Sequence, residues 1–239
     1  MEDLVFIHGW VNKYIIEKDK DIEDFYKQLL LELRKYFNVH FVKLPGFSNI
    51  PEPTKPYTLD DYVEYVKKYL EEKGINNFYL MGHSFGGQVA TKFAYYYPEK
   101  VKKLIIYNGA CIRRKTAKQK ILDIFKPLGK LIFKICPLAH KAFYKIFTGS
   151  TAYLKLSPIM KETMKNVISE DLASIFPLIK TEAILIWGAK DKITPLKDAY
   201  FIKKLIKNST LLIYNEGGHN FHLTNPQFIT ENLAKLIYN

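Results

Sequence analysis

The segment Gly82-His83-Ser84-Phe85-Gly86-Gly87 constrains this chain more than any other part of it. An apolar run, Asn77–Met81, leads into it, and a stretch with helical spacing, Gly86–Tyr97, leads out. A serine with glycine two residues away on each side, between a strand and a helix, is the pattern of a nucleophile elbow. Such a turn strains its central residue and leaves the hydroxyl exposed. Only small neighbours let the strand and the helix approach each other. The bland alternative is a Gly-rich strand-to-helix turn, which would require no partner residues elsewhere in the chain.

Partners of the right type are present. A nucleophilic serine needs a base, and the base needs an orienting acid. The apolar run Ile184–Trp187 ends in Gly188-Ala189-Lys190-Asp191, and Thr210–Tyr214 leads into Glu216-Gly217-Gly218-His219. Both residues would then lie beyond the carboxyl end of a strand, where open α/β sheets build their sites. The order Ser84, Asp191, His219 is the one expected with this elbow. His222 is the rival base and Asp198 the rival acid. His222 comes later in its loop without glycines before it, and Asp198 falls within a helical pattern. His8-Gly9-Trp10 follows the first strand, so the Trp10 and Phe85 amides are candidates for an oxyanion hole. His8 could instead only anchor that loop. His40 reads as a strand residue and His140 as a surface position, neither with an identifiable partner.

Strand patterns at Leu4–Ile7, His40–Lys43, Asn77–Met81, Lys103–Tyr107, Ile184–Trp187 and Thr210–Tyr214 are mostly continuously apolar. Strands covered on both faces read this way. Helical patterns alternate with them at Ile22–Phe37, Leu59–Lys73, Gly86–Tyr97, Leu196–Lys207 and Pro226–Ile237. Thr58 with Asp61 three residues on predicts an N-terminal cap for the second. The alternation implies an α/β fold with a mostly parallel sheet of about six strands. It stops after Asn108. Residues 111–176 hold basic amphipathic stretches (Ala117–Lys126, Leu128–Ile135, Lys141–Phe147, Met160–Ile168, Asp171–Phe176) broken by Pro127, Pro137 and Pro158. They read as a helical insertion, a cap, on a core formed by 1–110 and 177–239.

Taken together, HGW, LPGFS, YTLDDYVEYV, MGHSFGG, WGAKDKITP and EGGHNF give the chain a resemblance to the α/β-hydrolase superfamily. The similarity covers residues 4–110 and about 180–238, and the insertion occupies the family's variable cap. The resemblance implies a Ser84–His219–Asp191 triad, an acyl-enzyme and no metal or organic cofactor. Serine at the elbow argues against relatives resembling haloalkane dehalogenases and epoxide hydrolases, which place aspartate there. The family's usual N-terminal antiparallel hairpin has no counterpart before Leu4. Its absence would leave His40–Lys43 as a sheet edge open to homodimer pairing. The expected reaction is hydrolysis of a small-molecule carboxylic ester with an apolar acyl group, for which Ile121, Leu122, Ile124, Phe125, Leu128, Leu131 and Met164 would line a pocket. Lactonase, thioesterase and carbon–carbon-bond hydrolase activities use the same triad, and a ligand-binding protein without turnover is the alternative from another class.

Charge qualifies this picture. The chain of 239 residues carries a net charge of +12. Residues 1–110 hold 15 basic and 15 acidic side chains, whereas 111–169 hold 13 basic and 2 acidic. The excess therefore belongs to the insertion. It is a solvated basic face, a contact for anionic membrane surfaces with Leu131, Ile132, Phe133, Phe143 and Phe147 inserting, or a means of capturing an anionic substrate. Nucleic acid is not an expected partner, because no recognised binding motif accompanies the charge. Cys111 and Cys136 show no metal-ligand spacing and read as reduced thiols. With no signal peptide and no apolar run approaching the ~20 residues of a spanning helix, the expected location is cytoplasmic.

Overall fold

The computed structural model describes residues 1–11, 21–113 and 155–238. The stretches Ala117–Lys126, Leu128–Ile135 and Lys141–Phe147, with Cys136 and His140, lie outside the described residues. Six strands form one sheet: β1 (Glu2–Ile7), β2 (Phe37–Val42), β3 (Phe78–His83), β4 (Val101–Tyr107), β5 (Ala183–Gly188) and β6 (Ser209–Tyr214). Their spatial order is β2-β1-β3-β4-β5-β6, and every pairing is parallel. All six sequence-predicted strands are therefore present.

Helices α1 (Ile22–Leu33), α2 (Leu59–Glu72), α3 (Phe85–Tyr96), α4 (Pro158–Ser169), α5 (Leu196–Leu205) and α6 (Pro226–Tyr238) complete the described elements, apart from short single turns. α1 packs with α6, α2 packs with α3, and α5 lies on β5 and β6. Sandwiched in this way, every residue of β3 and β5 is buried, which explains their unbroken apolar runs. Each fully buried Leu, Ile or Phe there contributes about 1.5–3 kcal/mol. The expected cap of α2 forms as a reciprocal pair, with Thr58 accepting from the Asp61 amide and Asp61 from the Thr58 amide.

One boundary moves. The first helix was expected to run to Phe37, because Leu29, Leu30, Leu33 and Phe37 keep helical spacing. It ends at Leu33, and β2 begins at Phe37 rather than His40. Phe37 is buried in the strand instead, edge-on to Tyr79 and stacked with Tyr238. β2 is one edge of the sheet. There His40 has a partner that its sequence context did not reveal, the Asp3 carboxylate at 2.8 Å.

Residues 155–176 of the expected insertion rest on the core helices. The Tyr57 amide donates to Thr163 Oγ1 (2.9 Å) and Gln88 Nε2 to the Val167 carbonyl (3.2 Å), while within the expected insertion the Leu172 amide donates to the Cys111 carbonyl (3.0 Å). Buried Lys92 bridges Asp60 (2.8 Å) and Glu170 (2.5 Å).

The sheet positions the site. β1 is flanked by β2 and β3, so the order in which strands are added reverses there, and beyond the carboxyl ends of strands at such a point is where open α/β sheets build their sites. The turn from β3 into α3 fits against β1 with no room to spare. A Cβ on Gly82 would fall onto the Gly86 carbonyl, and one on Gly86 onto the main-chain carbonyls of Ile7 and His8. Gly86→Ala is expected to cost about 3 kcal/mol or more, a fall of about 6–12 °C in Tm for a chain of this size. A calorimetric Tm equal to wild type would contradict that packing.

Candidate active site

Ser84 sits at φ 54° and ψ −114°, in the half of backbone space that non-glycine residues avoid. Such a conformation costs about 1–3 kcal/mol and persists only where its surroundings hold it. Here the Ser84 carbonyl accepts from the Gly87 amide (3.0 Å) and the Ala110 amide (2.9 Å), while its own amide donates to the Tyr107 carbonyl (3.0 Å). Both flanks of the turn are thereby tied to the end of β4.

The loops after β5 and β6 bring the other two residues to it. His219 Nε2 lies 3.0 Å from Ser84 Oγ, and His219 Nδ1 lies 2.7 Å from Asp191 Oδ2. With Nδ1–H donating to the carboxylate, Nε2 is free to accept the serine proton. The Asp191 side chain is fully buried, and that of His219 is 11% exposed. The carboxylate also accepts the Ile193 amide (2.7 Å) and Thr194 amide (2.9 Å) on Oδ1, and the Thr194 hydroxyl (2.7 Å) on Oδ2. These donors fix the plane of the carboxylate and aim Oδ2 at the imidazole.

The rivals lie elsewhere. Asp198 is in the first turn of α5 and is not the carboxylate that meets His219. His222 is buried in a short turn, Phe221–Leu223, its Nδ1 3.1 Å from Tyr107 Oη and its ring stacked on Tyr26 at 4.8 Å. Burial and the neighbouring His219 depress its pKa to about 3. His8 does anchor its loop. Its Nδ1–H donates to the Gly9 carbonyl (2.7 Å) and its Nε2 accepts the Leu44 amide (3.0 Å), joining the segments after β1 and β2. Burial takes its pKa down to about 4. The amides of Trp10 and Phe85 donate to no acceptor among the described residues. The two side chains also meet, with ring centroids 5.3 Å apart. Phe47 packs on Trp10 (4.9 Å) and Tyr62 on Phe85 (5.1 Å), so an aromatic wall stands beside Ser84. Cys111 is a buried free thiol whose pKa burial raises to about 12, and it is inert to nucleophilic chemistry at neutral pH.

Three residues that support this arrangement carry weak signals in the sequence or none. Thr194 could have been suspected, since a threonine three residues after an aspartate commonly closes a local turn. Asn108, at φ 43°, donates to the carbonyls of His219 (2.7 Å) and Gly218 (3.1 Å) and accepts the Gly188 amide (2.9 Å). It follows directly after β4, where the sheet pattern simply stops. Tyr26 lies on α1 and is tied to the site only through tertiary contacts.

The profile of the α/β hydrolase fold family matches residues 4–125 and 140–226. The chain belongs to the α/β hydrolase fold family. Similar to this hydrolase are a pimeloyl-[acyl-carrier protein] methyl ester esterase of Wigglesworthia glossinidia brevipalpis, 30% identical over 233 residues (85% of this chain and 80% of the relative). An esterase of Exiguobacterium antarcticum shares the fold at TM-score 0.73 and 18% identity, over 100% of this chain and 92% of that one. So does a meta-cleavage product hydrolase of Pseudomonas fluorescens IP01, at TM-score 0.71 and 17% identity, over 100% and 91%. Among the described residues no helix of this α/β hydrolase is long and apolar enough to cross a membrane.

Three buried histidines, His8, His83 and His222, have pKa values depressed by burial. The unfolded chain takes up their protons near pH 6.5 and the folded chain refuses them. Their stabilising effect is therefore present at pH values above about 6.5 and is lost progressively as the pH falls below it. Urea unfolding should show a clearly lower midpoint at pH 5 than at pH 7.5. Equal midpoints would mean that these rings are not buried neutral.

Proposed function

We propose that this α/β hydrolase is a serine esterase that cleaves carboxylic esters with apolar acyl groups through an acyl-enzyme. Ser84 Oγ attacks the acyl carbon while its proton passes to His219 Nε2. Asp191 keeps Nδ1–H oriented and stabilises the imidazolium. The Trp10 and Phe85 amides receive the negative charge that develops on the carbonyl oxygen, the largest single contribution in chemistry of this kind. The imidazolium then gives its proton to the leaving alkoxide, and the alcohol departs. Water, deprotonated by His219, attacks the acyl-enzyme and frees the acid and Ser84.

The observation that carries this reading is the bridging imidazole, within hydrogen-bond reach of the strained serine on one side and of a buried, fully engaged carboxylate on the other. The aromatic wall of Trp10, Phe47, Phe85 and Tyr62 supports an apolar acyl group. The Wigglesworthia relative, named for a methyl ester, agrees in reaction class. The assignment of 111–176 as a cap over this site belongs to the same proposal, as does contact of its basic side chains with an anionic membrane surface.

A series of 4-nitrophenyl esters of increasing chain length tests the reading. Turnover should be measurable and should fall by about 10⁴-fold or more in Ser84→Ala with the Tm preserved. Turnover of thioesters or lactones but not esters would keep the mechanism and change the substrate class. Residual activity near wild type in Ser84→Ala would remove the nucleophile assignment.

A further inference from the structure

His83 and Tyr26 take no part in the proton transfers above, yet they join the two loops that those transfers depend on. The Gly9 amide donates to Tyr26 Oη at 2.9 Å. His83 Nε2 lies 3.0 Å from the His219 carbonyl, and a carbonyl only accepts, so Nε2 carries a proton. Tyr26 Oη is 2.8 Å from His83 Nδ1, and in a neutral ring that nitrogen accepts the phenol proton. The hydrogen bonds therefore run in one direction, from the Gly9 amide to Tyr26, from Tyr26 to His83, and from His83 to the His219 carbonyl.

Everything around this relay keeps it in that state. Tyr26 and His83 are buried, at 0% and 1% exposure. Burial, with His219 and His222 nearby, holds the His83 pKa well below its ordinary value, and burial holds the Tyr26 phenol protonated. A second proton on His83 would turn Nδ1 into a donor and leave the Tyr26 proton with no acceptor among the described residues. Tyr107 stacks on His83 (4.5 Å) and His222 on Tyr26 (4.8 Å), so neither ring can swing away. Asn108 Nδ2 grips the same His219 carbonyl at 2.7 Å.

We infer that Tyr26 and His83 are positioning residues whose hydrogen bonds fix the His219 main chain relative to the Gly9–Trp10 loop, so that the base and the oxyanion donors converge on one acyl group. The inference rests on the proposed roles of Ser84 and His219. Neither relay residue touches substrate. Their effect falls on kcat, because displacing a base by about 1 Å costs on the order of 10²-fold in rate.

The test compares wild type, Tyr26→Phe, His83→Gln and His83→Ala on 4-nitrophenyl butyrate, with thermal melts alongside. Phenylalanine keeps the stacked ring and loses only the hydroxyl. Glutamine can still present an N–H to the His219 carbonyl, and alanine cannot. Tyr26→Phe should lower kcat about 10- to 100-fold with KM within about twofold, and shift the acidic limb of the pH dependence of kcat/KM. His83→Gln should retain several-fold more kcat than His83→Ala. If Tyr26→Phe does not fold, the comparison between the two His83 variants decides. Lower melting temperatures with unchanged kcat, KM and pH profile would overturn the relay alone. A wild type with no turnover and an unmodified Ser84 after fluorophosphonate treatment would overturn the esterase reading, and the relay with it.

Discussion

The geometry of this protein depends on how closely the main chain of the β3–α3 turn approaches β1. The contact leaves no room for a side chain at Gly86, the turn itself leaves none at Gly82, and between them Ser84 sits at φ 54°. Strain of this size is small against the burial of the strands beside it. It is held because the Ser84 carbonyl and amide are hydrogen-bonded to the segment that ends β4. Loosening that approach would let the serine relax into ordinary helical geometry and withdraw its hydroxyl from His219.

Parallel strands then bring remote parts of the chain together. The segments after β1, β3, β4, β5 and β6 all emerge at the same edge of the sheet, so Trp10, Ser84, Asn108, Asp191 and His219 become neighbours despite sequence separations of up to 135 residues between bonded partners. Positional control comes from main-chain contacts more than from the reacting side chains. The Asp191 carboxylate is oriented by amides of its own loop, and the His219 carbonyl is held by Asn108 and His83. The side chains that would carry the chemistry are thus held by groups that do not change protonation at neutral pH.

How much of this could be read from the sequence follows from the range of each interaction. Six strands and the elbow were legible because apolar runs and glycine spacing are local. Asp191 and His219 were legible because each follows a strand in the order the elbow demands. The start of β2 was not, since Phe37 satisfies helical spacing after Leu33 while its burial against Tyr79 and Tyr238 comes from the sheet. Tyr26, His83 and Asn108 were missed as supports because their bonds reach across 57, 136 and 111 residues, with no local pattern to announce them. The charge was legible as a property of residues 111–169, and its consequence was not, because most of those residues lie beyond the described structure.

The central claim is that Ser84 is made nucleophilic by its surroundings. Peptide mapping after treatment with a fluorophosphonate tests it most directly. The account predicts a single phosphonyl adduct on Ser84, formed by the folded protein and abolished by heat denaturation before labelling. An adduct on another serine, or none on the folded protein, would contradict it.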